Sequence, residues 1–122
     1  MKNKIKQKKI IITGGSSGIG YSLVRYFTKK NYIVIPISKT KTKIKEYKNI
    51  SNEIKPIFFD LTNFKKYPEL FDKINKLYGP IDHLIHSAGI HKINSIKAFP
   101  LEDILNSINL NLVSAILISK YI

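Results

Sequence analysis

The feature that most limits how this chain can fold is a glycine turn caught between two hydrophobic periods. Lys9 to Thr13 is a short β-branched run. It runs straight into Thr13-Gly14-Gly15-Ser16-Ser17-Gly18-Ile19-Gly20. From Ile19 the period changes: Ile19, Leu23, Val24 and Phe27 recur at helical spacing, with Lys29 and Lys30 in the last turn. A buried strand therefore passes through a tight turn into an amphipathic helix. That arrangement suits an anion, because glycines let backbone N–H groups approach closely and the helix start carries the positive end of its dipole. In this pattern Gly14 makes the sharp turn, Gly18 lets a pyrophosphate reach the backbone, and Gly20 packs the helix onto the strand. Ser16 and Ser17 add hydroxyl donors, and Ile19 opens the helix whose N–H groups face the anion.

Two other readings compete. A flexible Gly/Ser linker has the same composition, but a strand and a helix abut this segment directly. A nucleoside-triphosphate loop has the right spacing from Gly15 to Gly20, with Ser22 in place. The position that must be Lys is Tyr21, so the ammonium that reaches terminal phosphates is missing.

Further along, strand and helix signals alternate. Tyr32 to Ile37 reads as a second strand, and Lys39 to Asn52 as a polar, lysine-rich connection that holds a short helix. Ile54 to Phe59 reads as a third strand, where Pro56 argues for an edge position or a late start. Asp60-Leu61-Thr62 closes it. Phe64 to Leu77 is a helix restarted at Pro68 and stopped before Gly79-Pro80. Ile81 to His86 is a fourth strand, ending in Ser87-Ala88-Gly89, and Leu101 to Ile122 reads as one long helix. Such alternation implies right-handed βαβ units and a doubly wound parallel sheet, one α/β domain over residues 1–122.

The chain has 122 residues, of which 43% are hydrophobic and 24% charged, enough for a core and too apolar for wholesale disorder. It carries 21 basic and 8 acidic residues, a net charge of +13. Such a balance raises nucleic acid as a partner. Arg25 is the single arginine, however, and nucleic-acid surfaces draw heavily on the bidentate guanidinium, so no nucleic-acid partner is expected. Residues 1–45 hold no acidic side chain, which places an anion site in the first third of the chain. With no cysteine, disulfides and thiolate metal sites are excluded. Ile10, Ile11 and Ile12 are too short a run, after the basic lead Met1 to Lys9, for a signal-peptide core. No stretch reads as a membrane span, and a cytoplasmic protein is expected.

Taken together, Thr13 to Gly20, Asp60-Leu61-Thr62, His86-Ser87-Ala88-Gly89 and Asn111-Leu112 resemble, in order and spacing, the short-chain dehydrogenase/reductase family, from about Lys8 to Ile122. The resemblance implies a Rossmann-type fold and an oxidoreductase that moves hydride between a nicotinamide cofactor and a carbonyl or alcohol substrate. It also implies that Asp60 accepts from the adenine amino group with help from the Leu61 backbone; the plainer alternative for Asp60 is a turn residue before a Thr62 cap. Ser87, Ala88 and Gly89 would let the backbone pass close to the cofactor. The family usually has two Asn before the Ala-Gly pair, where this chain has His86 and Ser87.

On such a fold the adenosine ribose lies beside the end of the second strand, where NAD binders carry an acidic side chain. Here that end is Ile37-Ser38-Lys39, followed by Lys41, Lys43 and Lys45. Ser38 and Lys39 favour the 2′-phosphate of NADP over NAD; from Lys43 onward the lysines read as a solvated face. His83, His86 and His91 do not read as a metal site, since two of them lie on opposite faces of one strand.

For chemistry, the resemblance implies an Asn holding a relay water, matched by Asn111, and a later Ser and Tyr-x-x-x-Lys. The only Tyr-x-x-x-Lys in these residues is Tyr26 to Lys30, on the far end of the first helix, where the nicotinamide does not lie. The sheet thus reads as cut short after about four strands in the order 3-2-1-4, with strand four an open edge. A catalytically silent fragment is expected, as is a buried last helix that drives self-association.

Overall fold

A computed structural model describes residues 5–41 and 43–122. Residues 1–4 of the basic lead, and Thr42 in the lysine-rich connection, lie outside the described residues. Strand β1 (Lys9–Thr13) is buried along its whole length, with Ile10, Ile11 and Ile12 no more than 1% exposed. Burial on both faces is what a central strand of a parallel sheet requires, and it explains an unbroken isoleucine run where a half-exposed strand would alternate. It pairs in parallel with β2 (Ile33–Ser38) on one side, Ile11 beside Ile35, and with β4 (His83–His86) on the other, Ile11 beside Leu84. A short β3 (Ile57–Phe58) completes the parallel order β3-β2-β1-β4. The expected order 3-2-1-4 and the edge position of strand four are both present.

The third strand is shorter than the sequence predicts. Two prolines account for this. Val34 exchanges both of its backbone bonds with the β3 side, so Pro36, two residues on, turns its missing N–H to that side as well. Pro56 removes a second donor from the opposing segment. The ladder survives as a bridge from Val34 to Ile54 and resumes only at Ile37 beside Ile57.

Helices cover both faces. On one lie α1 (Gly18–Lys29) and α2 (Ile44–Ile50), where Val24 and Tyr47 pack on Ile10, Ile12 and Val34. On the other, α3 (Tyr67–Tyr78) brings Tyr67, Leu70, Phe71 and Ile74 onto Ile11, Ile35 and Ile37. Pro68 sits in the first turn of α3, after a 3₁₀ turn over Phe64–Lys66, and Gly79, with φ of 73°, ends it.

The last helix departs from expectation. It runs from Leu101 to Ser119 as α4 (Leu101–Ile108), a π-helical segment (Asn109–Val113) and α5 (Ser114–Ser119). Only Ser114 and Ile118 are buried, while Leu101, Ile104, Leu105, Ile108, Leu112 and Ile116 face outward. The all-round apolarity of this segment predicts a buried helix; instead one face meets the core through Leu110, Leu117 and Ile118, and the opposite face is uncovered by these residues. The helix is long and apolar enough, by length and composition alone, to cross a membrane, with a mean hydropathy of 1.3, where no such stretch is expected from the sequence.

Candidate functional site

The carboxyl ends of the four strands enclose a cleft of about 420 Å³. Open parallel sheets bind ligands at these ends. Of the predicted positions, Gly14, Ser16, Ser17, Ser38, Lys39, Asp60, Leu61, Ala88 and Gly89 line it. Residues 75 positions apart in sequence thus share one wall. Gly18, Ile19, Gly20, Ser87 and Asn111 do not line it.

The floor is made by contacts only glycine permits. Gly14 has φ of 67°, and a Cβ there would meet the Ala88 Cα at 2.7 Å. The β1 turn and the loop after β4 are therefore in direct backbone contact. A Cβ on Gly20 would stand 2.1 Å from the Gly14 carbonyl oxygen, so α1 can begin only where it does. A Cβ on Gly18 would meet nothing within 4 Å, leaving open space beside the backbone at the helix start. Ser17 is the N-cap, extended at φ of −154°, and its side chain makes no capping bond. The first-turn N–H groups of α1 are thus not satisfied by a capping side chain, and no acidic residue opposes an anion there.

Three buried hydroxyls hold this floor in place, none of them singled out from sequence as a site residue. Thr13 Oγ1, fully buried, accepts from the N–H of Ser87 and of Ala88, both at 3.1 Å. With both lone pairs taken, its own proton is donated to His86 Nδ1 at 3.0 Å. Tyr47 of α2 donates to the Gly15 carbonyl at 2.6 Å, and burial pushes its phenol up to about 12. Tyr67 donates to the Leu61 carbonyl at 2.7 Å; burial pushes it too up to about 12. Each is an aromatic or β-branched residue whose body is buried in the core. The polar tip of each reaches a backbone group of the site.

His86 occupies the place where the family usually has Asn, and it does bond the turn. Because Nδ1 accepts, Nε2 carries the ring proton and points toward Ser114 Oγ, 3.5 Å away, and the Leu110 carbonyl. Burial holds its pKa below the usual 6.5. His83 turns to the opposite face, its ring 5.8 Å from that of Tyr32.

On the cleft rim, Asp60 Oδ1 accepts from the Thr62 hydroxyl at 2.7 Å and its N–H at 2.9 Å, an Asx turn that closes the strand. Its Oδ2 faces the Lys39 ammonium at 3.4 Å. The Thr62 hydroxyl first, and then the Thr62 N–H and Lys39, hold the carboxyl below its usual value against partial desolvation. Ser38 donates to the Thr40 carbonyl at 3.1 Å. Asn111 lies in the π-helical segment and brackets Ile90, accepting from its N–H at 2.8 Å and donating to its carbonyl at 2.9 Å. One amide N–H and one lone pair of Asn111 remain for a water. Tyr26 and Lys30 stand at the carboxyl end of α1, the ammonium 5.6 Å from the ring centroid, and neither lines the cleft.

The cleft therefore joins, at the carboxyl ends of the strands, the Ser17 N-cap that leads into α1, the backbone floor of Gly14 and Ala88, and a cation beside a carboxylate. These fit a dinucleotide: a pyrophosphate at the helix start, with its two nucleosides on either side.

Comparison with known proteins agrees. A family model described as short chain dehydrogenase matches residues 8–122. The 3-oxoacyl-(acyl-carrier-protein) reductase FabG of Thermotoga maritima is 30% identical over 113 residues, covering 89% of this chain and 46% of that protein. Among solved structures, ElxO with NADP bound superposes with a TM-score of 0.84 at 28% identity, covering 94% of this chain and 48% of that one. A short chain dehydrogenase from Leptospira borgpetersenii with bound NAD+ gives 0.86 at 30%, covering 94% and 44%. The chain thus spans just under half the length of these relatives. With the family model matching residues 8–122, essentially its whole length, the chain belongs to the short chain dehydrogenases.

Proposed function

We propose that this chain binds a nicotinamide dinucleotide and forms the cofactor-holding half of an oxidoreductase acting on a small carbonyl or alcohol substrate. The observation that carries the proposal is the contact of the Gly14 turn with Ala88, which puts the α1 start and the loop after β4 along one cleft. Bound there, the nicotinamide supplies or accepts the hydride. The chain's own residues bind and orient it: the α1 N–H groups, Ser16 and Ser17 take the pyrophosphate, Asp60 and Leu61 the adenine side, and Ser87 to Gly89 the nicotinamide side. Asn111 holds a water through its remaining N–H and lone pair.

NADP is the cofactor in this reading, with NAD the weaker ligand. Lys39 is 77% exposed at the side chain and pairs with Asp60 across 3.4 Å, so a 2′-phosphate can draw it away at small cost. Relatives bind either form, as the NADP and NAD+ complexes above illustrate.

By itself the 122-residue chain binds without turnover, because its one Tyr-x-x-x-Lys pair stands outside the cleft. The same fact favours a second reading, a non-catalytic nucleotide-binding module. Titrating NADPH fluorescence tests the first step, and adding a panel of carbonyls separates the two readings. Absence of NADPH and NADH binding overturns both. The uncovered face of the last helix is read as a surface for association with a second copy, in a cytoplasmic protein with no membrane or nucleic-acid partner.

A further inference from the structure

We propose that His86 is a positioning residue whose protonation loosens the Ser87–Ala88–Gly89 loop and so weakens dinucleotide binding at acidic pH, an inference that rests on the dinucleotide reading above. Its ground is the saturated hydrogen-bond arrangement around Thr13. The Thr13 hydroxyl has one proton and two lone pairs; Ser87 and Ala88 take the lone pairs and His86 Nδ1 takes the proton. Nothing is spare.

Imidazolium is a donor at both nitrogens. Once Nδ1 is protonated it points an N–H at an oxygen whose lone pairs are already used, and the Thr13 proton loses its acceptor. Either the ring swings away, or the Thr13 oxygen releases Ser87 or Ala88. The second outcome frees the wall that touches Gly14, the Ala88 Cα sitting 2.7 Å from where a Gly14 Cβ would be; the first removes the anchor of His86, the residue that leads into that wall, and leaves the buried Thr13 proton without its acceptor. The asparagine usual in the family at this place cannot titrate and would not have this effect.

Among the described residues, no charged group acts on the ring to offset protonation. From β1 the ring meets Thr13; from the last helix it meets Ser114 and the Leu110 carbonyl, and the Ser114 hydroxyl is itself donated to Leu110. The second histidine of the strand, His83, lies on the other face beside Tyr32. Burial alone favours the neutral ring, which keeps the clamp closed at neutral pH.

The test is the dissociation constant of NADP+ measured by calorimetry from pH 8 down through the titration of the His86 ring on the 122-residue chain, and over the same range on His86→Asn. A parallel NMR measurement follows the His86 ring protons and the exchange of the Ser87 and Ala88 amides without ligand. We expect the wild-type constant to rise by up to about tenfold for each pH unit below the ring's own pKa, beyond any rise in His86→Asn, with faster exchange of both amides over the same range. The 2′-phosphate titrates near pH 6 in both proteins, so only their difference counts. Equal slopes in the two proteins overturn the proposal, and so does exchange that stays constant while the ring titrates. If neither protein binds NADP+ at any pH, the dinucleotide reading falls, and the amide exchange alone decides the clamp.

Discussion

The carbonyl oxygen of Gly14 lies 2.1 Å from the point where Gly20 would carry a Cβ, so the end of the first strand and the first turn of α1 are in backbone contact. No side-chain adjustment relieves an added methyl, because the opposing atom is main chain. Gly20→Ala is expected to lose about 3 kcal/mol of stability, at the upper end of overpacking costs, and to weaken NADPH binding by displacing the helix start. Urea denaturation and fluorescence titration check the two effects. An alanine variant with wild-type midpoint and affinity contradicts this account of the turn.

Tyr47 supports the same turn from α2. Tyr47→Phe keeps the ring in the core and removes only the donor to the Gly15 carbonyl, so a loss of about 1–3 kcal/mol is expected from the unsatisfied buried acceptor. Denaturant midpoints measure it. A far larger loss would mean the ring had also shifted.

Cofactor choice turns on Lys39. Lys39→Glu should weaken NADPH by at least about tenfold while leaving NADH within about threefold, since only the former brings a phosphate to the substituted position. The contrast should shrink as salt is raised. Equal losses for both nucleotides would place the 2′-phosphate elsewhere.

Asp60 makes a prediction with a definite sign. Its folded carboxyl titrates below the usual 3.8, held there first by the Thr62 hydroxyl. Between the two values the unfolded chain binds more protons, so the Asp60 contribution is full above pH 3.8 and disappears as the pH falls through the lower, folded value. Asp60→Asn should therefore be less stable than wild type at pH 6, and the two should converge in acid. Unfolding curves across pH 2.5 to 6 decide this, with a pH-independent gap as the contrary result.

The outward face of the last helix carries Ile104, Ile108 and Leu112 within a run of apolar positions. Exposed patches of this kind drive association. The wild-type chain should elute ahead of a monomer in size-exclusion chromatography, and Ile108→Asp with Leu112→Lys should return it to monomer size. A wild-type chain that elutes sharply as a monomer rules this out.

Much of the architecture could be read without coordinates, because its causes are local. An isoleucine run with no polar alternation marks a strand buried on both faces, a change of period across Thr13 to Gly20 marks strand, turn and helix, and Pro68 and Gly79 punctuate α3. Where local signals compete the reading slipped: Ile54 to Phe59 has the composition of a strand, yet two prolines on the shared edge leave ladder pairing only at Ile57 and Phe58.

Sequence by itself determined the order of elements, the glycine turn and the residue types along the cleft, since backbone conformation and hydrophobic period are properties of neighbouring residues. Only the tertiary structure decided that Thr13 grips Ser87 and Ala88, that Tyr47 ties a distant helix to the glycine turn, and that His86 is locked in one tautomer. It also left the last helix largely exposed. These are contacts between segments far apart in the chain, and a side chain's apolar body predicts that it will be inside without predicting which buried acceptor its polar tip will find.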